Sequence, residues 1–382
     1  MKVVFLLLHD FRFAGWGLDQ FLSRFHFSKE YARRISGEGN DVSLYTFHQD
    51  VRSIKTIKVD EYTIKVFPVE MYFPPHMPFG NAHSLMALKE LKHDKPDIVH
   101  FHNYYIWSFP YVSTWTKFNG MKIVAQYHGE SDRLKALRRI FTPLLRSADL
   151  FLAPLSEEIS YLTNKFKVPS WKVSKFPNVG VDTDLFYPVC NKSDEPTLLY
   201  VGRMTLPSRN IREKSPWRLI DVMYELTKTR RNVKMFMVGD GPGLSYLRAV
   251  AKRRRLDRNV IFAGYRGNTE LPMLYSKSWI TFIPMQLGDI DPFWDGSLKE
   301  SLSCMTPVAG FNDQVSCLSD SCRRLGYLIP SNPKNAAGII HEILEDKDRL
   351  DEVGTKGRSS TLKCCSWNAV IERLLHLYRS LT

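Results

Sequence analysis

Four short stretches in the second half of the chain carry the residues best placed to do chemistry. Val201-Gly202-Arg203 closes an apolar run with a glycine and a cation. Val238-Gly239-Asp240-Gly241-Pro242-Gly243 and Phe262-Ala263-Gly264-Tyr265 break two further runs with glycine, and Leu298-Lys299-Glu300-Ser301-Leu302 sets a carboxylate near the start of a helical stretch. Apolar, β-branched runs broken by glycine are what a parallel sheet presents at its carboxyl edge, where ligands bind. Fixed cations and backbone N–H groups at helix starts can meet the charge of phosphate oxygens in a water-poor cleft. Arg203, directly after a strand, stands apart from ordinary surface loop cations by that position alone. The turn at 239–243 is weak by itself, because any tight strand-to-helix turn favours glycine.

The first half offers histidines. Asp97-Ile98-Val99-His100-Phe101-His102 ends a strand with two histidines on one face, since side chains two apart point the same way. A metal site would need a third ligand, and none of matching spacing is visible, so structural histidines are expected. His128 follows the strand that ends at Gln126. A neutral imidazole there can orient a hydroxyl, or can equally be structural.

The elements that must position these residues repeat one rhythm. Strands are expected at Val3–Leu8, Val42–Phe47, Thr63–Phe67, Ile98–Phe101, Ile123–Ala125 and Leu150–Ala153. A second set follows at Thr197–Val201, Val233–Val238, Val260–Ala263, Trp279–Ile283 and Pro307–Gly310. Helical patterns such as Phe27–Ser36 and Ser84–Leu91 lie between strands, which predicts an α/β chain with two doubly wound parallel sheets. A polar, proline-bracketed stretch, Tyr187 to Pro196, marks the boundary. The domains expected are residues 1–188, 189–365 and a closing helix over 366–382, begun by an N-cap serine at 366 and striped with apolar residues.

Bulk properties agree. The chain has 382 residues, 44% hydrophobic and 24% charged, which suits two globular domains. A net charge of +13 suits nucleic acid, an anionic membrane surface or phosphate-bearing substrates, without choosing among them. The brief apolar run after Met1 reads as a buried strand rather than a signal peptide, and no stretch reaches membrane-spanning length. Six cysteines show no zinc-like pairing, so a reducing, cytoplasmic setting is expected.

Taken in order, the four stretches resemble the nucleotide-sugar-binding half of retaining GT-B glycosyltransferases, in particular glycosyltransferase family 4 (GT4). The resemblance implies two Rossmann-like domains facing a cleft, with the final helix crossing back onto the amino-terminal domain. Arg203 and Lys214 match the family's Gly-Arg…Lys pair, which holds the diphosphate. Residues 204–213 intervene, and they include Arg209 and Arg212, so Arg212 competes with Lys214 for the second place. Gly202 and Gly241 fall in matching turns, and Gly264-Tyr265 matches the place where the main chain meets the base. The family carries two glutamates separated by seven residues. Glu300 matches the second, the ribose ligand, while the first place falls on Pro292. Asp295 or Asp291 could supply the missing carboxylate. Asp295, beside the amides of Gly296 and Ser297, could equally be a plain helix cap.

On the acceptor side, Gly15 lies in Phe13-Ala14-Gly15-Trp16-Gly17, a partial match to the family's glycine loop near the diphosphate. His128 matches a histidine that lines the cleft and contacts the donor sugar. Asp289-Ile290-Asp291 and Asp182-Thr183-Asp184 spell the Asp-x-Asp signature of a different, metal-dependent glycosyltransferase fold. The second sits in a segment, 177–186, that resembles a family interdomain stretch, and no metal is expected at either. Arg133–Arg146 mixes basic and apolar residues and could dock on anionic lipid or be a core-facing helix. The loop 72–80 could cap the acceptor site or cover core.

The resemblance thus implies a hexosyltransferase-like enzyme that moves a sugar from a nucleotide diphosphate sugar to a hydroxyl of a glycan or lipid-linked saccharide. It implies retention of configuration and no bound metal or cofactor. The expected location is the cytoplasm, with peripheral contact on the cytoplasmic face of an anionic membrane. No nucleic acid is expected as a partner. The alternatives are a GT-B scaffold that has lost catalysis, a basic nucleic-acid-binding protein, and a nucleotide-sugar epimerase of the same fold.

Overall fold

The computed structural model describes residues 1–10, 16–72, 82–128, 146–207, 214–286, 293, 295–312 and 325–382. The chain forms two compact units. One comprises Met1–Asn178 and Val370–Thr382, the other Val179–Ala369.

The first unit is built on a sheet whose strands are β1 Lys2–Asp10, β2 Asp41–His48, β3 Lys55–Val59, β4 Tyr62–Pro68, β7 Ile98–His102, β8 Lys122–Gln126, β9 Leu150–Ala153 and β10 Val173–Lys175; β5 Met71–Tyr72 and β6 Ala82–His83 pair separately. The sheet order is β10-β9-β8-β7-β1-β2-β4-β3, parallel throughout except for the β3–β4 hairpin. β1 is central because Val3 to Leu8 is an unbroken apolar run, buried on both faces. β3 lies outside the sequence expectation because it alternates exposed lysines with half-buried residues, as a polar edge strand does. Its hairpin turns through Asp60 at φ 50°, a left-handed position that aspartate tolerates.

The second unit is a fully parallel sheet of β11 Thr197–Val201, β12 Lys234–Val238, β13 Val260–Gly264, β14 Ile280–Gln286, β15 Val308–Phe311 and β16 Gly326–Ile329, ordered β13-β12-β11-β14-β15-β16. Its core joins strand residues such as Leu198, Met235 and Phe282 to helix residues Leu219, Met223, Leu302 and Ile340. Residues 179–186 belong to this unit, ahead of the proline-bracketed stretch. Val181 bridges to Ser366, Lys299 Nζ donates to Val179 O at 2.8 Å, and the Ser303 hydroxyl donates to Phe186 O at 2.5 Å.

The helix Trp367–Arg379 is capped by Ser366, whose Oγ accepts from Ala369 N at 3.2 Å. From Val370 onward its residues belong to the first unit, where Tyr378 Oη bonds His100 Nδ1 and Arg373 donates to Lys175 O at 2.7 Å. Among the described residues, no helix is long and apolar enough to cross a membrane.

Candidate functional site

In the second unit the site is assembled at the carboxyl ends of β11, β12 and β14. The turn after β12 is fitted against the turn after β11. Gly202 N donates to Val238 O at 3.0 Å, Met204 N to Asp240 O at 2.9 Å, and Gly243 N to Met204 O at 2.8 Å. Only glycine permits this approach. A Cβ on Gly239, at φ +131°, would stand 2.0 Å from Gly202 O, and one on Gly241, at φ +149°, would stand 2.5 Å from Met204 O. Gly241 therefore shapes the backbone that carries Arg203.

That backbone is fixed further by Tyr200, whose hydroxyl donates to Arg203 O at 2.7 Å. The Arg203 side chain itself is exposed, and no ion pair joins it among the described residues. Lys214 is held much more tightly. Its Nζ donates to Ser297 Oγ at 2.7 Å and to Val201 O at 3.4 Å, and it lies 3.2 Å from Asp295 Oδ2.

Asp295 caps the helix Gly296–Ser303. Its Oδ1 accepts from Leu298 N at 3.0 Å and from the Ser297 hydroxyl at 2.6 Å. Burial alone would raise this carboxyl, but Lys214, Ser297 and the Leu298 N–H outweigh it and hold it below the usual carboxylate range. The geometry therefore gives Asp295 both a cap and an ion pair. Its negative charge in turn bears on Glu300, one turn along. Burial, with Asp295 adding to it, pushes the Glu300 carboxyl up, although the Tyr275 hydroxyl donates to Oε2 at 2.8 Å and opposes the shift. Among the described residues nothing donates to Oε1.

Gly202, Lys214, Asp295, Gly296, Ser297 and Glu300 are thus brought together, with Arg203 and Gly241 on the adjoining turn. Tyr265 follows β13 with a 78% exposed side chain. Gly15, Arg209, Arg212, Asp289, Asp291 and Pro292 lie outside the described residues, as does nearly all of 133–146 and of the loop 72–80. Asp182 accepts from the N–H groups of Asp184 and Leu185 at 3.1 and 3.2 Å, a local turn. Sequence reasoning missed Tyr275 and Lys299. Tyr275 is fully buried, and Lys299 is a wholly buried cation satisfied in part by Val179 O. Tyr275 lies outside the four stretches, and Lys299 stands inside one without a role of its own, because each acts through a contact distant in sequence.

In the first unit the carboxyl ends of β7 and β8 gather histidines. His102 Nδ1 lies 3.0 Å from His128 Nε2, and the His128 ring stacks on Phe27 with centroids 4.3 Å apart. His100 packs 4.8 Å from His102. Burial lowers His100 to about 3 and carries His102 well below the usual value, so both are neutral, as structural histidines would be. A separate cavity of about 730 Å3 opens beyond β2, lined by Gly17, Gln20, His48, Asp50 and Arg52 among others; none of the predicted site residues lines it. Among the described residues, one trio has metal-ligand spacing, Glu90, His93 and Asp94, but Lys65 already donates to Glu90 at 2.6 Å and to Asp94 at 2.8 Å.

Comparison with known proteins places this geometry. The profile described as Glycosyltransferase Family 4 matches residues 27–185, and that described as Glycosyl transferases group 1 matches residues 187–360. An uncharacterized glycosyltransferase of Methanocaldococcus jannaschii is 21% identical over 380 residues, covering 92% of each chain. Sucrose-phosphate synthase from Thermosynechococcus elongatus has the same fold, with a TM-score of 0.67 at 19% identity over 100% of this chain and 99% of that one. Anabaena Alr3699/HepE in complex with UDP gives a TM-score of 0.67 at 15% identity, with both chains fully covered. With family profiles on both halves and the GT-B fold throughout, the chain belongs to the GT-B glycosyltransferases related to family 4.

Proposed function

We propose that this chain transfers a hexose from a nucleoside diphosphate sugar to a hydroxyl of a glycan or lipid-linked saccharide, with retention of configuration. The observation that carries the reading is Lys214 Nζ donating to Ser297 Oγ at 2.7 Å and to Val201 O at 3.4 Å, two residues before Arg203 in the chain. A cation held at a helix start, with Arg203 on the adjoining turn, then stands where a diphosphate would leave. In this reading Arg203 and Lys214 stabilise the charge that develops on the leaving diphosphate, and the first amides of the helix at Gly296 and Ser297 add to them. Glu300 holds the ribose through Oε1 and the main chain at Tyr265 meets the base, while Gly15 and His128 are assigned to the diphosphate and the donor sugar by the family resemblance alone. No side chain is assigned as a covalent nucleophile, so front-face displacement assisted by the leaving phosphate is the mechanism proposed.

The relatives support the donor class: the Anabaena protein was crystallised with UDP and with UDP-glucose. The reading also requires no bound metal or cofactor, and turnover should therefore survive chelation with EDTA. It further places the enzyme in the cytoplasm.

The test is a thermal-shift titration against UDP, GDP, ADP and their sugar conjugates, repeated with Arg203→Ala. A selective rise in melting temperature that the variant loses supports the donor site. Absence of any shift in well-folded protein overturns it, and binding without turnover on any acceptor would leave a scaffold without catalysis.

A further inference from the structure

The amino-terminal edge of the second unit's sheet, opposite the proposed donor site, carries a charge pattern that the donor-site reading does not use. Its central strands start level: Leu198 of β11 lies opposite Met235 of β12 and Ile280 of β14, and Met235 lies opposite Val260 of β13. The chain reaches this edge at the ends of the helices Pro216–Thr229 and Leu244–Arg253, which lead into β12 and β13. The helix Pro333–Glu345 ends there too. Glu345 pairs with Arg230, just before β12, and Lys347 lies 4.7 Å over the ring of Trp279, just before β14. Three helix ends are therefore set in a row along about 14 Å of sheet edge, from the start of β13 to that of β14.

Charge is divided along this row. Residues 228–258 hold ten Lys and Arg against two Asp, the larger part of the chain's +13, while residues 342–352 hold six Asp and Glu against two Lys and Arg. The cations form one surface. Arg254 and Lys228 stand over the same Tyr224 ring at 4.7 and 4.4 Å, and Asn259, next to Arg258, donates through Nδ2 to Arg231 O at 3.0 Å. The middle of the row is neutralised from within, since Arg254 pairs with Asp221, Lys228 with Glu225 and Arg230 with Glu345. Towards its two ends Arg253 and Arg258, and Glu342 and Asp348, are exposed and have no ion-pair partner among the described residues. Glu342 moreover sits in the last turn of its helix, where the helix dipole disfavours an acid.

We propose that this edge binds the same edge of a second copy of the chain about a two-fold axis, with Arg253 and Arg258 of each copy facing Glu342 and Asp348 of the other. A two-fold operation lays such a row antiparallel on itself, so each positive end meets a negative one and the same pairs form twice. Charge complementarity decides the occupant. A lipid surface or a nucleic acid carries one sign, and would be drawn to one end of the row and repelled by the other, whereas a second copy brings both signs in matching order. Exposed ion pairs are individually weak and screened by salt, so the dimer is reversible and salt-sensitive. The surface lies a strand's length from the proposed donor site and does not rest on that reading.

The test is sedimentation velocity of the full chain at about 0.05 M and about 0.5 M salt. A dimer is expected at the lower salt, and its loss at the higher. Arg253→Glu/Arg258→Glu and Glu342→Lys/Asp348→Lys should each weaken dimerisation at least about tenfold, because like charges then face each other at both ends. Mixed in equal amounts, the two variants should form a heterodimer, since every facing pair is again of opposite sign. All four positions are exposed, so melting temperatures should stay near that of the parent. If a reversed variant melts early, the neutral pairs Arg253→Gln/Arg258→Gln and Glu342→Gln/Asp348→Gln should show weakening in its place. The proposal is overturned if the parent is monomeric at low salt, if either reversed variant dimerises as the parent does, or if the mixture stays monomeric.

Discussion

Lys214 Nζ lies 3.2 Å from Asp295 Oδ2, across 81 residues of sequence, and the same carboxylate caps the helix that follows it. One acid therefore sets both the position of a proposed phosphate-binding cation and the start of the helix that bears Glu300. The Asp295→Asn variant separates these roles, because asparagine can still accept from Leu298 N but cannot pair with the ammonium. Stability should fall by about 1–3 kcal/mol, seen as a lower denaturation midpoint, since a largely buried cation loses its counter-charge. Nucleoside diphosphate affinity should not fall, because a negative charge beside the phosphates has been removed. If affinity for the sugar conjugate drops while that for the diphosphate holds, Asp295 also grips the sugar.

Tyr275 is the second long-range support. Tyr275→Phe removes the hydrogen bond to Glu300 Oε2 and leaves a buried carboxyl with one partner fewer. Chemical denaturation should register a loss of about 1–3 kcal/mol. Isothermal titration with a nucleoside diphosphate should show weaker binding, because the carboxylate assigned to the ribose is no longer oriented. Unchanged affinity would remove Glu300 from the donor site.

The glycine turn yields a comparison between two positions of different kind. Gly239→Ala places a methyl group 2.0 Å from Gly202 O, so the turn bearing Arg203 must move, at a cost above about 3 kcal/mol. Gly264 is also left-handed, at φ +71°, but a Cβ there would meet nothing within 4 Å. Gly264→Ala should therefore cost only about 1 kcal/mol of backbone strain. Thermal melting of the two variants side by side checks the difference, and equal losses would mean that the close approach is unimportant.

The histidines of the first unit make its stability depend on pH. Burial lowers His100 and His26 from 6.5 to about 3, and His9 to about 4. A folded-state pKa below the unfolded value means that the unfolded chain binds more protons as pH falls. The contribution is intact above about 6.5 and drains away between there and the folded values, by about 1.4 kcal/mol per pH unit for each group. Melting temperature should fall steadily from pH 7 to pH 5. His100→Gln, which removes one titrating group, should flatten that fall, and a pH profile identical to the parent's would contradict the assignment.

Much of the architecture could be read from local pattern. Apolar runs of strand length separated by helical stripes specify parallel strands buried on both faces, and each expected strand is present within a few residues. β3, β10 and β16 escaped because each is a short strand at a sheet edge. The places of Arg203, just past β11, and of Glu300, inside the helix Gly296–Ser303, follow from local signals, a glycine after an apolar run and a helical stretch.

The partners of those residues were not legible. Whether Asp295 was a cap, a sugar ligand or an ion-pair partner could not be decided from its neighbours, since Lys214 reaches it only once β11 and β14 lie side by side. The same holds for Tyr275 beneath Glu300, for Lys299 against Val179, and for His100 against Tyr378. By itself, the sequence determined the strands, their alternation with helices and the charged residues at their ends, because periodicity and turn chemistry act over a few residues. Tertiary structure alone decided which charge meets which, because a hydrogen bond or ion pair acts over about 3 Å, and only the packed sheet brings residues tens to hundreds of positions apart within that reach.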